Sequence, residues 1–183
     1  ELTQADARAV WVRDLGDGED ILLQGTAHAL VGYDTGEGKE RVLARMGDQI
    51  VKPLLTGDGR HVVFSRRRDH RIFVVSWAGE DPREIGRGFA LATWRDPASG
   101  RDWVYAATDP SWHEDSPYQR VVRFALDEPS HSEFVWKGGE VTLDSVQVSR
   151  DGRRLGGLFP GPHGMIVDTL SGRAEDIARG SWT

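Results

Sequence analysis

Four times along this chain a small turn is followed by an apolar run, a second apolar run and a short strand-like tail. The clearest copy is Leu55-Thr56-Gly57-Asp58-Gly59-Arg60-His61-Val62-Val63-Phe64. There Asp58-Gly59 suits the positive φ of a tight hairpin turn, and Val62 to Phe64 read as a buried strand. A related copy is Val148-Ser149-Arg150-Asp151-Gly152-Arg153-Arg154-Leu155, and weaker ones run from Leu2 to Trp11 and from Ser99 to Tyr105. The equivalent turn residues Ala7, Gly59, Gly100 and Gly152 stand at intervals of 52, 41 and 52 residues. That is the period of a repeated unit of about four short strands. A sheet of this size has two apolar faces and cannot cover both alone, so such units must stack.

The second unit shows the strand plan. Lys52 to Thr56 is expected as its first strand, Arg60 to Ser65 as its second, Arg71 to Trp77 as its third and Arg83 to Ile85 as a short fourth. The third-strand pattern recurs at Ala29 to Asp34, Val121 to Leu126 and Met165 to Leu170, each followed by a polar turn and a tail. Inner strands read as near-continuous Val, Ile and Phe, as sheets covered on both faces require. Arg83, Glu84, Arg173 and Glu175 lie near the tails and suit the charged protection of an edge strand. Residues 170–178 carry some helical propensity, but Ser171-Gly172 punctuates them as a turn. With 22 Gly, 7 Trp and few helix-period segments, the expected fold is all-β. It is a β-propeller of four-stranded antiparallel blades, about four in this chain, near 1–44, 45–86, 87–137 and 138–180.

Leu55 to Phe64, followed by Ile72-Phe73-Val74-Val75-Ser76-Trp77-Ala78-Gly79, resembles the repeat of TolB-like (WD40-like) propellers, which has a Ser-Pro-Asp-Gly turn and an Ile-Tyr-Val-x-Asp third strand. Gly57 and Arg150 stand where that family prefers Pro, and the first and third units lack the Asp-Gly pair in register. The resemblance implies six to eight blades in a closed ring. The chain is therefore expected to belong to a larger propeller, completed by further sequence, a second chain or self-association. It also implies that the loops between second and third strands gather at one mouth of a central channel, where ligands bind. In this sequence those loops are Leu15 to Ala27, Arg66 to His70, Thr108 to Gln119 and Pro160 to Gly164.

Candidate ligand-binding residues follow from these loops. The hairpin Arg66-Arg67-Arg68-Asp69-His70-Arg71 concentrates four guanidinium groups, suited to a carboxylate or sulfate. Its plainer reading is a solvated tip with Asp69 as local compensation. The long third loop places Trp112, His113, Glu114, Asp115 and Tyr118 between prolines, a composition suited to holding a divalent metal or stacking on a sugar ring. Adjacent His113, Glu114 and Asp115 match no metal-ligand spacing, so no metal or other cofactor is expected, and a solvated loop pinned by Trp112 is the plainer reading. His163 falls in the fourth loop, as a turn residue or a ligand contact. Trp11, Trp77, Trp103 and Trp136 lie in strand-like runs, and Trp94 either lines the channel or packs between blades.

No nucleophile elbow, phosphate-binding glycine loop or zinc-protease helix is present. Two readings of function stand: a non-catalytic scaffold binding a protein or a carbohydrate, and a polysaccharide lyase or hydrolase acting on an acidic saccharide, as in resembling families. The second would use His113 or His163 as base, with Arg66 to Arg68 neutralising a substrate carboxylate. A net charge of −6, from 23 basic and 29 acidic residues, argues against nucleic acid as partner. No apolar run reaches the roughly 20 residues of a membrane span. With no cysteine the redox compartment stays open. A start at Glu1 suggests a trimmed chain, with a periplasmic or secreted location expected and the cytoplasm left open.

Overall fold

The computed structural model describes residues 8–14, 28–108, 120–138, 146–158 and 163–179, and every regular element among them is a β-strand. The strands form four antiparallel meanders. The first holds β1 (Arg8–Asp14), β2 (His28–Asp34) and β3 (Lys39–Met46), and the second β4 (Ile50–Leu55), β5 (His61–Arg66), β6 (Arg71–Ser76) and β7 (Arg83–Arg87). The third holds β8 (Phe89–Arg95), β9 (Asp102–Thr108), β10 (Arg120–Ala125) and β11 (Ser132–Lys137). The fourth holds β12 (Gln147–Val148), β13 (Arg154–Leu158), β14 (His163–Asp168) and β15 (Ala174–Arg179), so residues 174–179 are a strand and not a helix. The chain divides into two compact units, Glu1–Ala90 and Leu91–Thr183.

In the first unit the two sheets share one core. Leu30, Leu43 and Ala44 of the first sheet meet Ile50, Val62, Phe64, Phe73 and Val75 of the second, together with Trp77 just beyond β6. Phe64 and Phe73 are cross-strand partners with ring centroids 5.6 Å apart. Trp77 reaches across to the first sheet, where Gly32 leaves it room: a Cβ there would lie 2.8 Å from the indole. The Arg8 guanidinium lies over that ring at 4.5 Å, pairs with Asp34 at 3.4 Å and donates to the carbonyl of Gly59. A side chain of one sheet thus caps the Asp-Gly turn of the next.

The second unit repeats the device with different residues. The hydroxyl of buried Tyr105, on β9, donates to the carbonyl of Gly152 at 3.3 Å. The indole nitrogen of Trp94 donates to the carbonyl of Arg150 at 3.0 Å, so Trp94 packs between the third and fourth sheets. Outer strands are the polar ones, as expected of edges: β7 buries only Ile85 and carries Arg83, Glu84 and Arg87 outward.

The turns account for the repeat. Gly59 and Gly152 have φ of 69° and 71°, and their N–H groups close four-residue turns onto the carbonyls of Thr56 and Ser149. The third sheet reaches the same end without an Asp-Gly pair. There Gly100, φ 70°, closes a turn one residue longer onto Asp96. An aspartate organises each of these turns and two others, those between β2 and β3 and between β14 and β15. Ser149 donates to Asp151 at 2.6 Å, Ser99 to Asp96 at 2.5 Å, the Ser171 amide to Asp168 at 2.8 Å and the Glu37 amide to Asp34 at 3.2 Å. These bonds to the ionised form hold the carboxyls of Asp34, Asp96, Asp151 and Asp168 below the ordinary carboxylate range.

A group whose folded pKa is depressed adds stability that is complete above its unfolded pKa and disappears as pH falls through the folded one. The melting temperature is accordingly expected to decline below about pH 4. The double variant Asp151→Asn/Asp168→Asn should flatten that decline. Parallel acid profiles for the variant and the parent would show that these bonds contribute nothing.

Candidate functional site

The basic hairpin between β5 and β6 is built to place two arginines in solvent. Arg66 and Arg71 face each other in register at its base, where two guanidiniums would repel. Asp69 resolves the conflict by bridging them. It accepts from Arg66 Nε at 2.8 Å and from Arg66 Nη2, and it pairs with Arg71 Nε at 3.0 Å. Arg71 is shared with Glu84 of β7 at 2.8 Å, and Arg66 lies over the Phe73 ring at 4.9 Å. The hydrogen bond from Arg66 holds the Asp69 carboxyl below its ordinary pKa, against the opposing effect of burial. The same bond raises that of Arg66.

The tip of the hairpin is tied to both ends of its sheet. The Arg67 amide donates to the Gln49 carbonyl at 3.0 Å, just before β4, and the His70 carbonyl accepts from the Gly88 amide at 2.6 Å, just after β7. His70 adopts φ 53°, an uncommon conformation for a residue with a side chain, and its ring packs on Phe89 with centroids 4.9 Å apart. Strain of this kind persists only where surrounding contacts over-determine the backbone. Here the two flanking main-chain bonds do so.

Of the six hairpin residues, then, Arg66, Asp69 and Arg71 are engaged with one another, and His70 is packed. Arg67 and Arg68 are exposed, and neither forms an ion pair with a carboxylate among the described residues. Asp48 joins the group from the connection before β4. Its Oδ1 accepts from the Gln49 amide at 2.7 Å, its charge acts on Arg66, and its Oδ2 is buried without a partner. Nothing in the local pattern around Asp48 marks it, because its link to the hairpin is made across the sheet.

Trp112, His113, Glu114, Asp115 and Tyr118 lie outside the described residues. The fourth loop is shorter than Pro160 to Gly164, because β14 already begins at His163, which pairs in register with Arg179. Its side chain is outside the described set as well. Among the described residues no three His, Asp or Glu side chains gather as metal ligands, and no helix is long and apolar enough to cross a membrane.

Comparison with solved structures defines the class. The chain is similar to an oligogalacturonate lyase in complex with manganese, at 13% identity and a TM-score of 0.64 over 97% of this chain and 52% of that one. It is similar to TolB from Acinetobacter baumannii at 13% identity and a TM-score of 0.66, over 98% and 43%. An oligogalacturonate lyase from Vibrio parahaemolyticus gives 14% identity and a TM-score of 0.63, over 99% and 53%. No family model and no curated protein matches the chain. The fold is a β-propeller fold of stacked antiparallel sheets, as the repeat implies. The chain spans about half the length of these structures.

Proposed function

We propose that this chain is a non-catalytic TolB-like propeller module that binds a carboxylate-bearing ligand, a glycan or a protein, through the hairpin between β5 and β6. The observation that carries the reading is the division of labour within that hairpin. Its base neutralises itself through Asp69 and Glu84, while Arg67 and Arg68 stay exposed on a backbone anchored at Gln49 and Gly88. Guanidinium groups on a fixed hairpin match the planar geometry of a carboxylate and lose little freedom on binding it. The names of two structural neighbours direct the choice of probe to a polyuronate. The proposal includes further blades from outside this chain, since its neighbours are about twice as long, and a periplasmic or secreted location.

Oligogalacturonate titrated by calorimetry is expected to bind, and Arg67→Gln/Arg68→Gln to weaken it by about tenfold or more, since charge-assisted bonds are among the stronger ones. Unchanged affinity in the double variant would remove the hairpin from the reading. Ultraviolet absorbance followed in the same samples separates the lyase alternative. New absorbance from an unsaturated product would replace binding alone with catalysis.

A further inference from the structure

The first turn of the fourth sheet carries a second basic cluster, independent of the β5–β6 hairpin. Arg150, Arg153 and Arg154 line a cleft of about 800 Å3 together with Pro97, Ser149, Asp151 and Asp168. All three arginines are exposed, and among the described residues none is within ion-pair distance of a carboxylate. The two aspartates in the cleft are held by their own turns. Asp151 Oδ1 accepts from the Ser149 hydroxyl at 2.6 Å and the Arg153 amide at 3.1 Å. Asp168 Oδ1 accepts from the amides of Leu170 and Ser171 at 3.1 and 2.8 Å and from the Ser171 hydroxyl at 2.8 Å. On a chain with net charge −6, three guanidiniums against two carboxylates make a local surplus of positive charge.

The backbone that bears these arginines is locked. The Arg150 carbonyl accepts from Trp94, and the Gly152 carbonyl accepts from both Tyr105 and Thr169, the latter at 2.7 Å. The Arg154 amide donates to the Ser149 hydroxyl at 2.9 Å, and Ser149 and Arg154 close the hairpin at 2.8 Å. A site whose stems are fixed in advance loses less entropy on binding. Three planar donor forks offer more hydrogens than the two oxygens of a carboxylate can accept. A tetrahedral anion, with three or four acceptor oxygens, fits that supply.

We propose that this cleft binds a phosphate or sulfate ester group. The test titrates the protein with inorganic phosphate and inorganic sulfate, then with glucose 6-phosphate and glucose 6-sulfate, at an ionic strength held constant with sodium chloride. Trp94, in contact with the turn, supplies a fluorescence signal, and calorimetry an independent one. Saturable binding is expected, weakened about tenfold by Arg153→Gln and lost in Arg150→Gln/Arg153→Gln/Arg154→Gln. Arg83→Gln, an equal loss of charge on the outer strand β7, should leave it unchanged. Tighter binding of the esters than of the ions supports the proposal, and equal affinities, which identify a free ion as the ligand, overturn the assignment to an ester. No saturation on the parent protein, or the same affinity in Arg153→Gln, overturns the proposal. Exposed Arg→Gln changes leave the fold intact, which circular dichroism of the single variant checks.

Discussion

Gly152→Ala is expected to lower stability by about 2–5 kcal/mol, much of the margin of a small domain. Two costs add at this position. The residue sits at φ 71°, where a Cβ meets the backbone, and that Cβ would also stand 2.4 Å from Cζ2 of Trp94. The indole cannot simply swing away, because its nitrogen is bonded to the Arg150 carbonyl in the same turn. Gly38→Ala provides the control for the first cost alone. Its φ is 64° and nothing lies within 4 Å of the added atom, so about 1–2 kcal/mol is expected. Gly156→Ala has the same open surroundings without a positive φ, and its effect should be near zero or slightly stabilising. Urea denaturation of the three variants measures the series. Equal losses at positions 152 and 38 would mean that Trp94 yields at no cost and that the sheets are not locked through this turn.

The turns were legible in the sequence because their chemistry is local. An aspartate two residues before the amide it accepts from, followed by glycine, is a device complete within five residues, and it marks Gly59 and Gly152 directly. The third unit escaped that pattern because its turn is one residue longer and the pair is exchanged: Asp96 stands where Thr56 and Ser149 do, and Ser99 stands before the glycine. The strands were legible because sheets covered on both faces turn into unbroken apolar runs, as at Val62 to Phe64. What stayed hidden depends on partners far along the chain. Arg8 and Tyr105 cap the turns of neighbouring sheets from unrelated positions, and no spacing announces them.

The candidate site divides along the same line. Asp69 as the compensating charge of the hairpin could be read from adjacency, whereas Glu84 and Asp48 could not. Arg150, Arg153 and Arg154 were in view from the start as part of the repeat. Their shared cleft exists only once Pro97 and Asp168 are brought beside them by the fold. Trp94 fitted two places equally well until its indole nitrogen found the Arg150 carbonyl.

Phe64→Ala should destabilise the first unit by about 3–5 kcal/mol, the usual cost of emptying a phenylalanine-sized space in a well-packed core. Phe64 is fully buried on the middle strand β5, stacked on Phe73, and belongs to a cluster drawn from both sheets of that unit. Because Leu30 and Leu43 of the first sheet pack in the same cluster, the loss should not stay on the strand that carries the mutation. Hydrogen exchange is expected to show amides of β2 losing protection by the same factor as amides of β5. Phe134→Ala serves as the comparison, since that ring is 59% exposed on the outer strand β11 and its removal should change stability by no more than about 0.5 kcal/mol. Protection lost on β5 and β6 alone, with β2 untouched, would show that each sheet is held by its own contacts, and stacking would then not be what makes these units stable.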